Sequence, residues 1–136
     1  LDDERNRWWG YDYREDLEGE LTEDYFLEVA RRDFAARLAV NFAVRLEGAL
    51  IGEAVLYRFD YKGAAELGCR ILPEFAGNGY GREAFRRAAE WSLYELGLSR
   101  LRGKCFHENE ASRRMLESCM RPAGEDETFL HFEKVV

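Results

Sequence analysis

The 136 residues predict a mixed α/β domain built on one central sheet. Three observations carry that expectation. Leu38, Val40, Phe42, Val44 and Leu46 alternate strictly with other residues, the period of a half-buried strand. Two later stretches switch to helical spacing. Between strand and helix spacing stands a junction with three glycines in five positions, Gly77-Asn78-Gly79-Tyr80-Gly81.

The elements follow in order. Leu1 to Leu17 is rich in aromatics without a clear period, which suggests an ordered irregular segment. Thr22 suits a helix N-cap, with Glu23 and Asp24 in the first turn, and the helix runs to about Arg37. Its buried side is Phe26, Val29, Ala30 and Phe34. The alternating strand from Leu38 turns at Glu47-Gly48 into a hairpin partner, Leu50 to Tyr61. Lys62-Gly63 turns again into Ala64 to Leu72, which Pro73 ends. A long helix spans about Tyr80 to Leu96, with Ala84, Phe85, Ala88, Trp91 and Ser92 inside and Gly97 just past its end. Leu101 to Phe106 is a short strand, Asn109 caps a helix to about Cys119, and Thr128 to Val135 is the last strand.

Composition excludes several classes of function. At 46% hydrophobic the chain can build one real core, yet charges interrupt every apolar run that could span a membrane. A net charge of −7 argues against a nucleic-acid partner. Cys69, Cys105 and Cys119 are odd in number and lack CxxC spacing, while His107 and His131 fit no ligand pattern. Neither a disulfide framework nor a metal site is expected, and reduced thiols fit a cytoplasmic protein. No secretory signal opens the chain. It starts at Leu1, and its only methionines are Met115 and Met120, so it is read as trimmed, processed or cut from a longer product.

The Gly-rich junction is the segment with chemistry. Glycine permits positive φ and close approach of a ligand to the backbone. Exposed N–H groups entering a helix N-terminus make an anion cradle, suited to a pyrophosphate. An ordinary tight strand-to-helix turn would look the same at this level. A P-loop is excluded, because no Gly-Lys is followed by Ser or Thr. The dinucleotide fingerprint is excluded as well: it needs glycine at position 82 or 84, which hold Arg82 and Ala84.

The junction resembles the acetyl-CoA signature of the GNAT superfamily of N-acetyltransferases, (Gln/Arg)-x-x-Gly-x-(Gly/Ala), with Gly79 and Gly81 at its last two positions. The likeness extends over Glu66-Leu67-Gly68, Ile71-Leu72-Pro73-Glu74-Phe75, Gly81-Arg82-Glu83-Ala84, Leu96-Gly97-Leu98 and Asn109-Glu110-Ala111-Ser112, about residues 38–120. It is similar to the subgroup of ribosomal-protein N-terminal and polyamine acetyltransferases. Two departures stand out: Ala76 replaces the Gln or Arg, and Met120-Arg121-Pro122 replaces a Gly-Phe pair. The resemblance implies a GNAT-like fold, with a mostly antiparallel sheet flanked by helices and the family's first strand and helix missing from this chain. It implies one acetyltransferase domain over 1–136, with 1–37 on the acceptor side and 38–136 as the acetyl-CoA-binding core.

The resemblance also assigns roles. Acetyl-CoA is the cosubstrate, and no metal is needed. Gly77, Asn78, Gly79, Tyr80, Gly81 and Arg82 bind the pyrophosphate by their amides, and Ile71 and Leu72 offer main-chain groups to the pantetheine arm. An alkylamine with a pKa near ~10 must lose a proton before attack, so a base is required. Glu66 is the first candidate, since it points away from the apolar set Ala65, Leu67, Cys69 and Ile71; Glu53 is the reserve. Glu66 would look the same as a mere solvent-side residue of the strand. Asn109 caps its helix and, by resemblance, contacts the pantetheine or acetyl region. The family's tyrosine acid aligns with Leu116, so Ser112 or a water protonates the thiolate. Cys105 is read as packing, because the family transfers directly in a ternary complex.

For the acceptor, seven acids stand against Arg14 alone between Tyr11 and Asp24, giving that stretch −6 of the net −7. Asp12, Glu15 and Asp16 could attract a cationic amine, and Trp8, Trp9 and Tyr13 could line its channel. A solvated acidic segment explains the same pattern. The partner is then a small amine or a protein N-terminal amine, with a homodimer or a fused N-terminal segment also admitted. The alternative to an enzyme is a catalytically inert acyl-CoA-binding regulatory module.

Overall fold

The computed structural model describes Arg32 and residues 39–60 and 62–136. Six strands form one sheet: β1 (Ala39–Leu46), β2 (Ala49–Tyr57), β3 (Ala64–Ile71), β4 (Arg100–Phe106), β5 (Arg121–Glu125) and β6 (Phe129–Val135). Their spatial order is β1-β2-β3-β4-β6-β5. All neighbours pair antiparallel except β3 and β4, which run parallel. Helix α1 (Tyr80–Glu90) makes the crossover between them, and α2 (Glu110–Glu117) follows β4. A parallel pair needs such a crossover, whereas β1-β2, β2-β3 and β5-β6 are close enough in sequence for hairpins, and β4 reaches β6 through α2 and β5. Of the expected helix from Thr22 to about Arg37 only Arg32, itself helical, is described. The expectations for Leu1 to Leu17, and for a missing first strand and helix, lie outside the described residues. No described helix is long and apolar enough to cross a membrane.

One face of the sheet carries the core. Ala54 and Leu56 of β2, Ala65, Leu67 and Cys69 of β3, Leu101 and Cys105 of β4, and Phe132 of β6 pack against Phe85, Ala88, Ala89 and Leu93, with Leu116 and Met120 closing the other side. Val40 and Phe42 join this cluster from β1, as the alternation requires.

The helix after the Gly-rich junction differs from expectation. Its α-helical part stops at Glu90, and Trp91–Glu95 is a π-turn closed by Leu96 N–H to Trp91 O at 2.9 Å. The wider turn shifts the inward face. Trp91, expected inside, is 38% exposed and meets Phe42 edge-on at 5.2 Å, while Leu93 is 4% exposed and fills the core. Leu50 to Tyr61 is likewise shorter than expected, since β2 ends at Tyr57. Strand β5 was not expected at all. Its sequence, Arg121-Pro122-Ala123-Gly124-Glu125, has no strand-forming residue, and every position is exposed.

Gly103 of β4 marks the tightest packing. A Cβ there would lie 2.6 Å from Leu116 Cδ2 and 3.2 Å from Met120 Sδ. Gly103→Ala should therefore lower stability by about 1–3 kcal/mol in urea denaturation through overpacking. Combined with Leu116→Ala the loss should fall short of the sum of the two single losses, because the second change vacates the space. Strict additivity would show that the added methyl does not meet Leu116.

Candidate active site

The parallel junction of the sheet is open over most of its length. Strands β3 and β4 pair only at Ala64↔Arg100, Ala65↔Leu101 and Glu66↔Arg102, although β3 continues to Ile71 and β4 to Phe106. Beyond that seam β3 stays with β2, whose Ile51 O accepts from Leu72 N–H at 2.7 Å, and β4 stays with β6 up to Phe106↔Phe129. The facing edges of 67–71 and 103–106 thus present main-chain groups without a strand between them. A crevice at the carboxyl ends of parallel strands, flanked by the helices that follow, is where open α/β sheets hold ligands.

Both helices aim their N-termini at this crevice. The chain leaves β3 through a 3-10 turn, Pro73–Phe75, and enters α1 through Gly77 (φ 83°) and Gly79 (φ 82°). Those angles favour glycine, and Gly79 is the N-cap of α1 with no side-chain cap. The first-turn amides of α1 are therefore left without a side-chain cap. Nothing lies within 4 Å of where a Cβ would stand on Gly77 or Gly79, so the space before these amides is open. Asn78 shapes the loop, its Nδ2 donating to Phe75 O (3.1 Å) and Ala76 O (3.3 Å). Gly81 serves a different end. Its Cβ would stand 3.4 Å from Ile71 Cγ1 and 3.7 Å from Met115 Sδ, so its smallness lets α1 settle between β3 and α2.

Asn109 is buried and caps α2, its side-chain oxygen accepting from Ser112 N–H at 3.1 Å. The Ser112 side chain is half-buried one turn into α2. Asn109, Ser112 and the loop at 77–82 are thus brought to one end of the sheet. Leu116, where the family's tyrosine aligns, is fully buried over Gly103.

Glu66 stands in the last paired row, at the apex of the crevice, on the face away from α1 and α2. Its Oε2 accepts from Arg58 Nη1 at 3.1 Å. Nearby, Asp60 Oδ2 accepts from Arg102 Nη2 at 3.1 Å, and the amides of Ala64 and Lys62, foremost, hold the Asp60 carboxyl below its usual range. Arg58 carries no signal in the sequence beyond a charge at the end of an apolar strand. Glu53, the reserve base, is committed elsewhere. Its Oε1 lies 2.7 Å from Arg70 Nη2 on the facing strand, a charge contact rather than an aligned hydrogen bond, and both side chains are about nineteen-twentieths buried. A carboxylate so enclosed cannot meet an incoming amine.

Burial pushes the Cys69 thiol up to about 12 and the Cys105 thiol up to about 11, and raises Cys119 as well. None of them is poised as a thiolate nucleophile. His107 and His131, far apart in sequence, both reach Asp126, through its carbonyl (2.7 Å) and its Oδ2 (2.8 Å). The His131 contact, then the Phe129 and Thr128 amides, hold the Asp126 carboxyl at about 2. Among the described residues no group of three or more His, Cys, Asp or Glu is placed to hold a metal. Trp8, Trp9, Asp12, Tyr13, Glu15 and Asp16 lie outside the described residues.

An acetyltransferase (GNAT) domain model matches residues 1–119. The chain belongs to the GNAT family. Among curated GNAT relatives, the uncharacterized N-acetyltransferase YnaD of Bacillus subtilis is 31% identical over 111 residues, covering 79% of this chain and 64% of that protein. A second from the same organism, YoaA, is 40% identical over 52 residues, 38% of this chain and 29% of its own length. The chain thus spans less than two thirds of these relatives. Solved structures share the fold at lower identity. The ribosomal-protein-S5-alanine acetyltransferase from Vibrio fischeri superposes with TM-score 0.71 at 19% identity, over 97% of this chain and 82% of that one. Spermidine N-acetyltransferase from Vibrio cholerae, solved with CoA and spermine, gives 0.70 at 20%, over 88% and 79%.

The burial of Glu53 has a measurable consequence. Glu53→Gln removes the counter-charge that faces Arg70 inside the sheet and should cost about 3 kcal/mol or more in urea denaturation. A change below about 0.5 kcal/mol, the scale of an ordinary surface substitution, would show that Glu53 is solvated.

Proposed function

We propose that this chain is the catalytic domain of an acetyl-CoA-dependent N-acetyltransferase acting on a primary amine. The observation that carries the reading is the open β3–β4 junction with two helix N-termini at its mouth. The amides of residues 77–82 take the pyrophosphate, and Arg82 adds a positive charge beside them. The main chain of Ile71 and Leu72 takes the start of the pantetheine arm. From Ile71 back to Glu66 is five residues of strand, about 17 Å, comparable to an extended pantetheine. The thioester then lies by the apex, with Glu66 to one side.

There Glu66 removes a proton from the acceptor's ammonium. The neutral nitrogen attacks the thioester carbonyl carbon, and the C–S bond breaks as the C–N bond forms. The sulfur leaves with a proton from Ser112 or a water, and the surplus proton of the new amide nitrogen restores that donor. Direct attack in a ternary complex is supported by the cysteines, whose raised thiol pKa values leave no ready nucleophile for an acyl-enzyme. Asn109 fixes the start of α2 beside this path. The acceptor is read as a cation, a small amine or a protein N-terminal amine. Two observations favour it: the charge of −6 between Tyr11 and Asp24, and relatives of this fold named for spermidine and for a ribosomal protein. On this reading Asp12, Glu15 and Asp16 draw the acceptor in and Trp8, Trp9 and Tyr13 line its way. Residues 1–37 form the acceptor side, 38–136 the acetyl-CoA side, of one domain.

Gly79→Val tests the cradle. A β-branched residue is strained at φ 82°, and its side chain would fill the space before the α1 amides. Calorimetry should show strongly weakened CoA binding; equal affinity in a folded variant would misplace the cradle. Glu66→Gln tests the base. Turnover should fall ~10²-fold or more with CoA affinity kept, and the defect should shrink as pH rises and more amine is already neutral. An unchanged rate at neutral pH would remove Glu66 from the mechanism.

A further inference from the structure

Arg58 is the residue of the site that no motif accounts for. It directly follows β2 with φ 52°, a left-handed conformation that a long side chain adopts at some cost. That conformation brings its guanidinium to Glu66, Nη1 3.1 Å from Oε2. The two partners differ sharply in exposure: the Arg58 side chain is 60% exposed, the Glu66 side chain 13%. The same guanidinium lies 5.6 Å from the centroid of the Tyr57 ring, a second place where a cation is at ease. Arg102, directly across from Glu66 on β4, is engaged with Asp60.

We infer that Arg58 is a specificity-determining residue: its guanidinium occupies the cation position at Glu66 that the acceptor's ammonium must take, and the acceptor binds by exchanging places with it. This rests on the reading of Glu66 as the group that receives the acceptor's proton. An ammonium must sit within hydrogen-bond reach of that carboxylate before a proton can pass. In the structure the position is filled by an internal cation on a solvent-exposed stem. The Arg58 end of the pair is open to water, which screens it, so an alkylammonium can displace the guanidinium, and the aromatic ring of Tyr57 keeps Arg58 close after it leaves. The exchange selects for acceptors that carry a positive charge. A neutral amine or an alcohol offers Glu66 nothing that Arg58 does not already supply.

The test is binding rather than turnover, so it needs no knowledge of the acceptor. n-Butylammonium is titrated into the folded protein while the side-chain carboxyl 13C resonance of Glu66, assigned by its loss in Glu66→Gln, is followed. The resonance should shift in a saturable way, and n-butanol should leave it unmoved. In Arg58→Ala the apparent affinity should tighten about threefold to fivefold, the scale of a lost surface ion pair. Arg58→Lys should stay near wild type. Arg58→Gly, which suits the positive φ, should match Arg58→Ala and so exclude a backbone artefact. Equal or weaker affinity in Arg58→Ala, or no shift in any of these proteins, overturns the exchange. Full turnover in Glu66→Gln overturns the base instead, whatever the butylammonium titration shows, and so separates the two failures.

Discussion

Everything at the site depends on how short the parallel seam is. Three residue pairs join the antiparallel half β1-β2-β3 to the antiparallel half β4-β6-β5. Each half satisfies its own hydrogen bonds within itself, so the sheet can open at the junction without leaving the rest unpaired. What keeps the halves together is the apolar layer beneath, where Phe85 and Leu93 of the crossover and Leu116 and Met120 bridge both sides. Gly103 lets that layer reach the apex, because Leu116 lies where any side chain on residue 103 would begin. The crevice is thus open at its mouth and sealed at its depth.

The two faces of the sheet solve burial differently. The helix-bearing face is mostly apolar, and its packing sets the register of β2, β3 and β4. The opposite face buries Ile51 and Val55 of β2 but is charged from β3 to β5. Across it the row Glu66, Arg102, Glu133 and Arg121 alternates in sign from strand to strand, with Arg121 and Glu133 3.0 Å apart. Opposite charges directly across a pair favour the native register and disfavour a slip that would set like charges together. Among the described residues, the Glu53–Arg70 pair is the one ion pair on this face taken fully out of water. It lies across the β2–β3 pair one residue before Ile71, where the two strands must stay aligned for the crevice to keep its wall.

Much of this was legible in the sequence. The alternation in β1 and β3, the turn at Gly63, the Gly-rich entry to α1 and the Asn109 cap are local signals, and each reads correctly because neighbours in sequence decide it. The failures have a common cause. The π-turn at Trp91–Glu95 depends on which side chain the core accepts, so periodicity alone puts Trp91 inside. Strand β5 exists because β6 offers it an edge, not because Arg121-Pro122-Ala123-Gly124-Glu125 favours extended backbone. For the site, the glycine loop and Glu66 could be named from spacing and resemblance. Arg58 could not, since its partner is eight residues away across a turn, and neither could the enclosure of Glu53 against Arg70. Pairings between charged side chains are set by strand register, which a single sequence states only indirectly.

Strand β5 also bears on how this protein behaves among copies of itself. An edge strand presents unpaired N–H and C=O groups that can recruit another sheet, the first step toward aggregation. Here that edge is only five residues long, begins and ends in charge, and contains a proline that has no N–H to offer. The register breaks between Pro122 and Gly124, which bends the strand away from the flat geometry that stacking requires. The features that hid β5 from a reading of propensities make it a poor template for further strands, so this margin of the sheet ends the hydrogen-bonded array instead of extending it.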